Sequence, residues 1–236
     1  MGGKVVLSQR MQAVADMVTA GNRVVDVGCD HGYVSIYLVQ QKITDHVLAM
    51  DINSGPLLRA KRHVEEAGLC PYITLRLSDG LTAFWAGEAD TLICAGMGGR
   101  LMQRILEREP EKTGSLKELI LQPQSEIPAF RRFLTHAGYR ITEENMVLEE
   151  GKFYPVIRVV RGQRKDQLSE TEARFGPVLL KKKHPILREY LSVELEKEIK
   201  LEQELMTVPA GKRVDQRLDE IRREMGYVRR AIEIMG

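Results

Sequence analysis

The segment Val24-Val25-Asp26-Val27-Gly28-Cys29-Asp30-His31-Gly32 constrains this chain more than any other, because it reads as a buried strand running into a glycine-permitted turn and then a helix. A junction of that kind belongs to α/β folds that bind nucleotides. Gly28 and Gly32 can take backbone angles that a Cβ penalises and let a ligand approach the main chain. The helix from about Val34 then offers N–H groups without intrahelical partners. The glycine spacing also separates two cofactors. Dinucleotide folds use G-x-G-x-x-G, with a pyrophosphate at the helix start. Here the pattern is Asp26-x-Gly28 followed by Gly32, and Asp26 and Asp30 put negative charge where a pyrophosphate would sit. A ligand with ammonium and sulfonium groups suits those carboxylates, and S-adenosylmethionine carries both.

The remaining pattern extends this start into a fold. Ser8 caps a predicted helix over 9–19, which reads as a lid ahead of the core. Strands are predicted over 23–27, 47–51, 73–77, 91–95 and 118–122, and helices over 34–41, 55–67, 99–108 and 126–137. Such alternation implies a parallel sheet. Strong β-formers over 139–148 and 154–161 follow in close succession, which predicts an antiparallel pair finishing it. The plan is α/β, a Rossmann-like, seven-stranded sheet of the class I methyltransferase type.

Composition changes after Gly162, so a cofactor-binding domain over 1–162 is expected to precede a helical domain over 163–236. The polar stretch 163–171 reads as a linker. Helices over 179–206 and 212–235, separated by Val208-Pro209-Ala210-Gly211, predict an antiparallel hairpin. In the second helix Val214, Leu218, Ile221, Met225, Val228, Ile232 and Met235 recur at alternating four- and three-residue steps, the seam of a coiled coil.

With 236 residues, 43% of them hydrophobic, the chain can bury one substantial core and carry a small second domain. Its net charge of +2 neither demands nor excludes a nucleic-acid partner. Basic clusters at Arg131-Arg132, 161–165, Lys181-Lys182-Lys183, Arg222-Arg223 and Arg229-Arg230 could contact RNA phosphates, although such runs are often only solvated faces. Cys29, Cys70 and Cys94 are odd in number and lack CxxC spacing, which fits buried or inert thiols in a reducing compartment. No stretch approaches the roughly 18 apolar residues of a membrane span, and His46, His63, His136 and His184 lack metal-ligand spacing. A cytoplasmic protein without membrane or metal partners is expected, as a monomer in preference to an oligomer.

Several residues are candidates for the chemistry. Asp51, with Ile52 beside it, ends the second strand about 20 residues after the glycine loop, where an acid holds ribose hydroxyls in related folds. Its structural alternative is a cap on the next helix, with Asn53 as another. Asp79 and Gly80 follow the third strand, so Asp79 could accept from an adenine amino group while Gly80 lets the base approach; Asp-Gly is also an ordinary turn. The run Ala95-Gly96-Met97-Gly98-Gly99 after the fourth strand suggests close passage of backbone by a ligand, or a helix start that must stay open. Amino-methyltransferases commonly carry Asn-Pro-Pro-Tyr or Asp-Pro-Pro-Tyr at that place, and its absence argues against the usual N6-methylating arrangement. Asp30 and His31 could orient a base or move a proton, or they could cap and pack. Arg10, on the leading helix, suits a phosphate or base edge if that helix folds over the cofactor mouth.

Leu7-Ser8-x-Arg10-Met11, Asp26-Val27-Gly28-Cys29-Asp30-His31-Gly32-Tyr33, Ala60-Lys61-Arg62, Gly80-Leu81, Ala95-Gly96-Met97-Gly98-Gly99, Leu121-Gln122-Pro123 and Phe175-Gly176-Pro177 together resemble the bacterial tRNA adenine-N1 methyltransferases that modify adenosine 22, the TrmK family. The resemblance spans nearly the whole chain. It implies methyl transfer from S-adenosylmethionine to N1 of an adenine in the tRNA D-loop, with the catalytic roles falling on Asp30 and Arg10. The cofactor residues it implies are Asp26, Gly28, Cys29, His31, Gly32, Asp51, Ile52, Asp79, Gly80, Gly96 and Met97. Family members often have Ser at Cys29 and Ala at Gly32, swaps that leave the loop intact. The residues by themselves leave two other readings open: methylation of a small molecule or protein with a dimerising tail, and a non-catalytic nucleotide-binding protein.

Overall fold

The computed structural model describes residues 4–162, 167–209 and 211–236, and the chain divides into two compact units, Met1–Asp166 and Gln167–Gly236. In the first, strands β1 (Val24–Val27), β2 (Val47–Asp51), β3 (Ile73–Leu77), β4 (Thr91–Met97), β5 (Glu118–Pro123), β6 (Tyr139–Glu149) and β7 (Lys152–Arg161) form one sheet in the order β3-β2-β1-β4-β5-β7-β6. Strands β1 to β5 run parallel, and β7 pairs antiparallel with both β5 and β6. Helices α1 (Gln9–Ala15), α2 (Tyr33–Gln40), α3 (Ser54–Glu66), α4 (Gly99–Arg108), α5 (Pro110–Gly114) and α6 (Ile127–His136) complete the unit.

β1, β2 and β5 are buried along their whole length, because helices cover both faces and leave no polar side to alternate with. The period of two still sorts their side chains. Val25, Val27, Leu48, Met50 and Leu92 share a core with Met102, Leu106, Phe130 and Leu134 from α4 and α6. Val24, Val47, Ala49 and Ile93 pack on the other face with Val14, Ile36, Leu38, Ala60 and Val64 from α1, α2 and α3. Asp26 shares the parity of Val24, and it meets Ser35 of α2 there.

Helix α1 departs from expectation. It ends at Ala15 because the backbone N–H and hydroxyl of Thr19 turn away to the Glu118 carboxylate, at 3.0 and 2.8 Å. Ala13, Val14 and Ala15 are buried, so α1 belongs to the core and is no lid. Cys29 and Cys94 are buried and Cys70 is exposed. Among the described residues no helix is long and apolar enough to cross a membrane.

The second unit contains α7 (Glu170–Phe175), α8 (Pro177–Lys181), α9 (Pro185–Met206) and α10 (Lys212–Met235). The single helix expected over 179–206 is broken: Lys183 adopts a left-handed φ of 49°, and Pro185, lacking an N–H, opens the next helix at its first turn. Helix α7 begins within the last two residues of the stretch expected to be a linker, set by a capping box in which Ser169 and Glu172 satisfy each other's backbone N–H. Residues 163–166 of that stretch, including Arg164 and Lys165 of a basic cluster, lie outside the described residues, as does Ala210. Helices α9 and α10 run antiparallel, with Arg188 donating to the Met235 carbonyl at 2.9 Å and Arg222 lying 2.7 Å from Glu202. Ile221, Met225, Val228 and Met235 of the seam are buried, but Ile232 is 37% exposed and Ala231 is buried in its place. A straight helix of 3.6 residues per turn drifts off a seven-residue seam in that way.

Candidate active site

The order of the sheet reverses between β1 and β4, and there, beyond their C-terminal ends, lies a cleft of about 480 Å³. This is where open α/β sheets bind ligands. Its wall contains Arg10, Gly28, Asp30, Asp51, Ile52, Asp79, Gly80, Gly96 and Met97, which the structure therefore brings together. Asp26, Cys29 and His31 line an adjoining cavity of about 110 Å³ shared with Gly28 and Asp30. Gly32 lines neither cavity; it is the left-handed N-cap of α2.

The loop after β1 is wound by left-handed residues at alternate positions, with φ of 75° at Gly28, 49° at Asp30 and 74° at Gly32. A non-glycine residue there is strained, and aspartate is among the few that tolerate it. The winding is pinned from β2: the N–H groups of Gly28 and Cys29 both donate to the Met50 carbonyl, at 2.8 and 3.0 Å. Asp51 adds a second anchor. One of its oxygens accepts from Asp30 N–H at 3.3 Å and the other from Asn53 N–H at 2.8 Å. Each oxygen keeps a lone pair free for a ligand, so Asp51 shapes the loop and still faces the cleft. Asn53 is the N-cap of α3 but makes no side-chain cap bond.

Asp30 does not cap α2, and its side chain is 65% exposed beside Arg59 at 3.7 Å and His31 at 3.6 Å. The His31 ring packs nearly parallel to Tyr33 and to His63, each at 5.7 Å, and His63 Nδ1 lies 3.0 Å from the His31 carbonyl oxygen. Asp26 is buried, with Ser35 Oγ donating to it at 2.7 Å. Burial pushes its carboxyl up to about 6, against the Ser35 hydrogen bond and with help from the Asp51 charge. Burial, with those carboxylates nearby, likewise pushes the Cys29 thiol well above its ordinary value, so Cys29 presents a neutral surface.

The opposite wall is only partly visible in the sequence. Gln122, fully buried at the end of β5, accepts on one oxygen from Arg10 Nη1 and from Gly96 N–H, both at 3.1 Å. Glu149 accepts from the Arg10 backbone at 3.2 Å and lies 3.8 Å from its Nε, while the Tyr154 ring sits 5.2 Å beneath the guanidinium. Arg10 is thus fixed by groups distant in sequence, Gln122 being 112 residues away and Glu149 139. Gly96 is required by its backbone, with a left-handed φ of 79°, since a Cβ there would make only an ordinary contact, 3.5 Å from Arg10 Nη1. Gly98 and Gly99 have a different reason from ligand approach, since a Cβ on them would strike Ser125 Oγ at 2.8 Å and the Ser125 carbonyl at 2.7 Å. Asp79 is held by Arg108 Nη1 at 2.6 Å, so a base reaching it must share that carboxylate. Arg131, expected in a phosphate-binding cluster, is buried against Glu144 at 2.8 Å and cannot serve there. Among the described residues no cluster of three or more His, Cys, Asp or Glu side chains could hold a metal ion.

Known proteins agree with this geometry. The family model of the tRNA (adenine(22)-N(1))-methyltransferases, TrmK, matches residues 24–229. The tRNA (adenine(22)-N(1))-methyltransferase of Bacillus subtilis strain 168 is 32% identical over 231 residues, covering 96% of this chain and 97% of that protein. The crystal structure of the Bacillus subtilis m1A22 tRNA methyltransferase TrmK has a TM-score of 0.84 at 32% identity, over 97% of this chain and 99% of that one. The structure of Mycoplasma capricolum TrmK in complex with the cofactor product S-adenosylhomocysteine has a TM-score of 0.83 at 27% identity, over 98% and 99%. Likeness at this level runs through both units, the cleft and the helical tail alike, and the chain belongs to the TrmK family of S-adenosylmethionine-dependent tRNA methyltransferases.

Proposed function

We propose that this chain methylates N1 of adenosine 22 in the D-loop of tRNA, using S-adenosylmethionine bound in the cleft between β1 and β4. The observation that carries this reading is the facing of two walls. On one side stand the Gly28–Asp30 loop and Asp51, and on the other Arg10 fixed by Gln122 and Glu149. The cleft is within the size range of ligand sites, and the residues suit the cofactor. Asp51 has free lone pairs for two vicinal hydroxyls, and Asp26 is a buried carboxyl that an ammonium group would neutralise. Ile52, 58% exposed at the rim, offers an apolar face to an adenine.

The bound cofactor supplies an electrophilic methyl group. Adenine N1 has a lone pair at neutral pH, so the protein has to position more than to deprotonate. Asp30, which lines the cleft, would accept from the N6 amino group and stabilise the positive charge that grows on the alkylated ring. Arg10, its own charge offset by Glu149, positions the nucleotide through a phosphate or base edge. A stacked adenosine has to leave its helix to enter the cleft. The chain is proposed to act in the cytoplasm, as a monomer, without a metal.

Incubation of the purified protein with radiolabelled S-adenosylmethionine and a tRNA transcript tests the reading, with an A22-to-G transcript as control. Label is expected in the first RNA and not in the second. Label in both would move the target base, and binding without labelling would make the chain non-catalytic.

A further inference from the structure

We infer that the outer face of α4 is the track that holds the RNA strand leading to the cleft. Arg100, Arg104 and Arg108 stand four residues apart and are all exposed. At 1.5 Å per residue they form a row rising about 6 Å per step, a spacing suited to successive phosphates. The row starts at the mouth. Leu101 and Ile105, on the neighbouring face of the same helix, line the cleft, and Arg108 reaches its wall through Asp79.

The charges are available. Arg100 lies 3.1 Å from Glu126 and Arg108 2.6 Å from Asp79, both in exposed pairs, while Arg104 has no acidic partner among the described residues. Exposed pairs contribute little, so a phosphate can take the place of either carboxylate, and a guanidinium binds phosphate bidentately. The occupant that this row fits is a strand of polyanion adjoining the base in the cleft, and the inference rests on tRNA being the substrate.

Filter binding of tRNA to the full chain across a potassium chloride series tests it, using wild type, Arg104→Gln and the triple variant Arg100→Gln, Arg104→Gln, Arg108→Gln. Every phosphate that no longer meets a guanidinium should flatten the slope of log K against log salt by roughly 0.7–0.9. Arg104→Gln should therefore lose just under one and the triple variant roughly two to three, with the cofactor affinity and unfolding temperature of Arg104→Gln unchanged. Should the triple variant fold poorly, Arg104→Gln alone decides. Wild-type slopes in the variants, from a protein that still methylates tRNA, would overturn the track and leave the activity standing. A wild-type chain that neither binds nor labels tRNA would overturn both.

Discussion

Replacing Asp26 by asparagine should make the cofactor-free protein more stable and its cofactor affinity worse. Burial raises the Asp26 carboxyl from 3.8 to about 6, roughly two units, and at about 1.4 kcal/mol per unit the charged form costs the fold ~3 kcal/mol. The direction follows from proton binding. Between pH 3.8 and 6 the folded state keeps a proton that the unfolded chain has released, so stability falls as pH rises through this window and the cost is complete above it. Asparagine carries no charge and can still accept from Ser35 Oγ, but its new N–H donors lack an evident partner, which costs about 1 kcal/mol or more. The net gain at pH 7.5 is ~1–2 kcal/mol, or ~2–8 °C in unfolding temperature for a unit of this size. At pH 4.5 only ~1 kcal/mol of the electrostatic cost is present, and the gain should vanish.

With S-adenosylmethionine present the order should reverse. The carboxylate that destabilises the empty fold is the group an ammonium would neutralise, so the variant should bind the cofactor about tenfold or more weakly. Wild-type affinity should also decline as pH falls below 6. Thermal unfolding with and without cofactor at both pH values, and calorimetry at pH 7.5, measure these effects. An Asp26→Asn protein that is less stable than wild type at pH 7.5 without ligand, or that binds the cofactor equally well, would refute the reasoning.

Asp51→Ala removes the free lone pairs at the cleft and an anchor of the glycine loop, and should weaken S-adenosylmethionine by ~1–3 kcal/mol in calorimetry; unchanged affinity in a folded variant would reject the assignment. Asp30→Asn should cut single-turnover methylation while leaving cofactor affinity within about threefold, and a rate that falls only in step with weaker binding would make Asp30 a cofactor ligand. Gln122→Met should slow methylation at least tenfold by releasing Arg10, whereas in an Arg10→Ala background it should have little further effect; additive losses would separate the two residues. A chain ending at Gly162 should still bind S-adenosylmethionine and lose affinity for tRNA, and filter binding at wild-type strength would assign the tail to structure.

The parts of this fold that are legible in the sequence are those written in adjacent residues. β2 and β3 fall on their predicted bounds because a continuous apolar run is closed by Asp51 and the alternating Ile73, Leu75 and Leu77 by Ser78-Asp79-Gly80, and α4 does so because glycine opens it and a strong helix pattern carries it to Arg108. Short elements escape for a local reason. α5 is five residues long and rests on Pro110 at its first turn, too brief for a periodic signal. α7 is hidden by polar composition, although Ser169 and Glu172 spell a capping box that could reveal it.

The two walls of the cleft differ in the same way. The Asp26–Gly32 loop and Asp51 lie on two neighbouring strands whose order follows from the alternating pattern, so their meeting is legible. Arg10 meets Gln122 and Glu149 only because α1 packs across the edge of the sheet where β5 and β6 finish and β7 begins, over separations of 112 and 139 residues. One signal is present: a glutamine closing an apolar run, in Leu119-Ile120-Leu121-Gln122. A buried amide needs partners, and at the C-terminal edge of a parallel sheet those partners are the residues of the site. Gln122 at the end of β5 therefore marks the Arg10 wall of the cleft, beside the Gly96 turn whose N–H it also accepts.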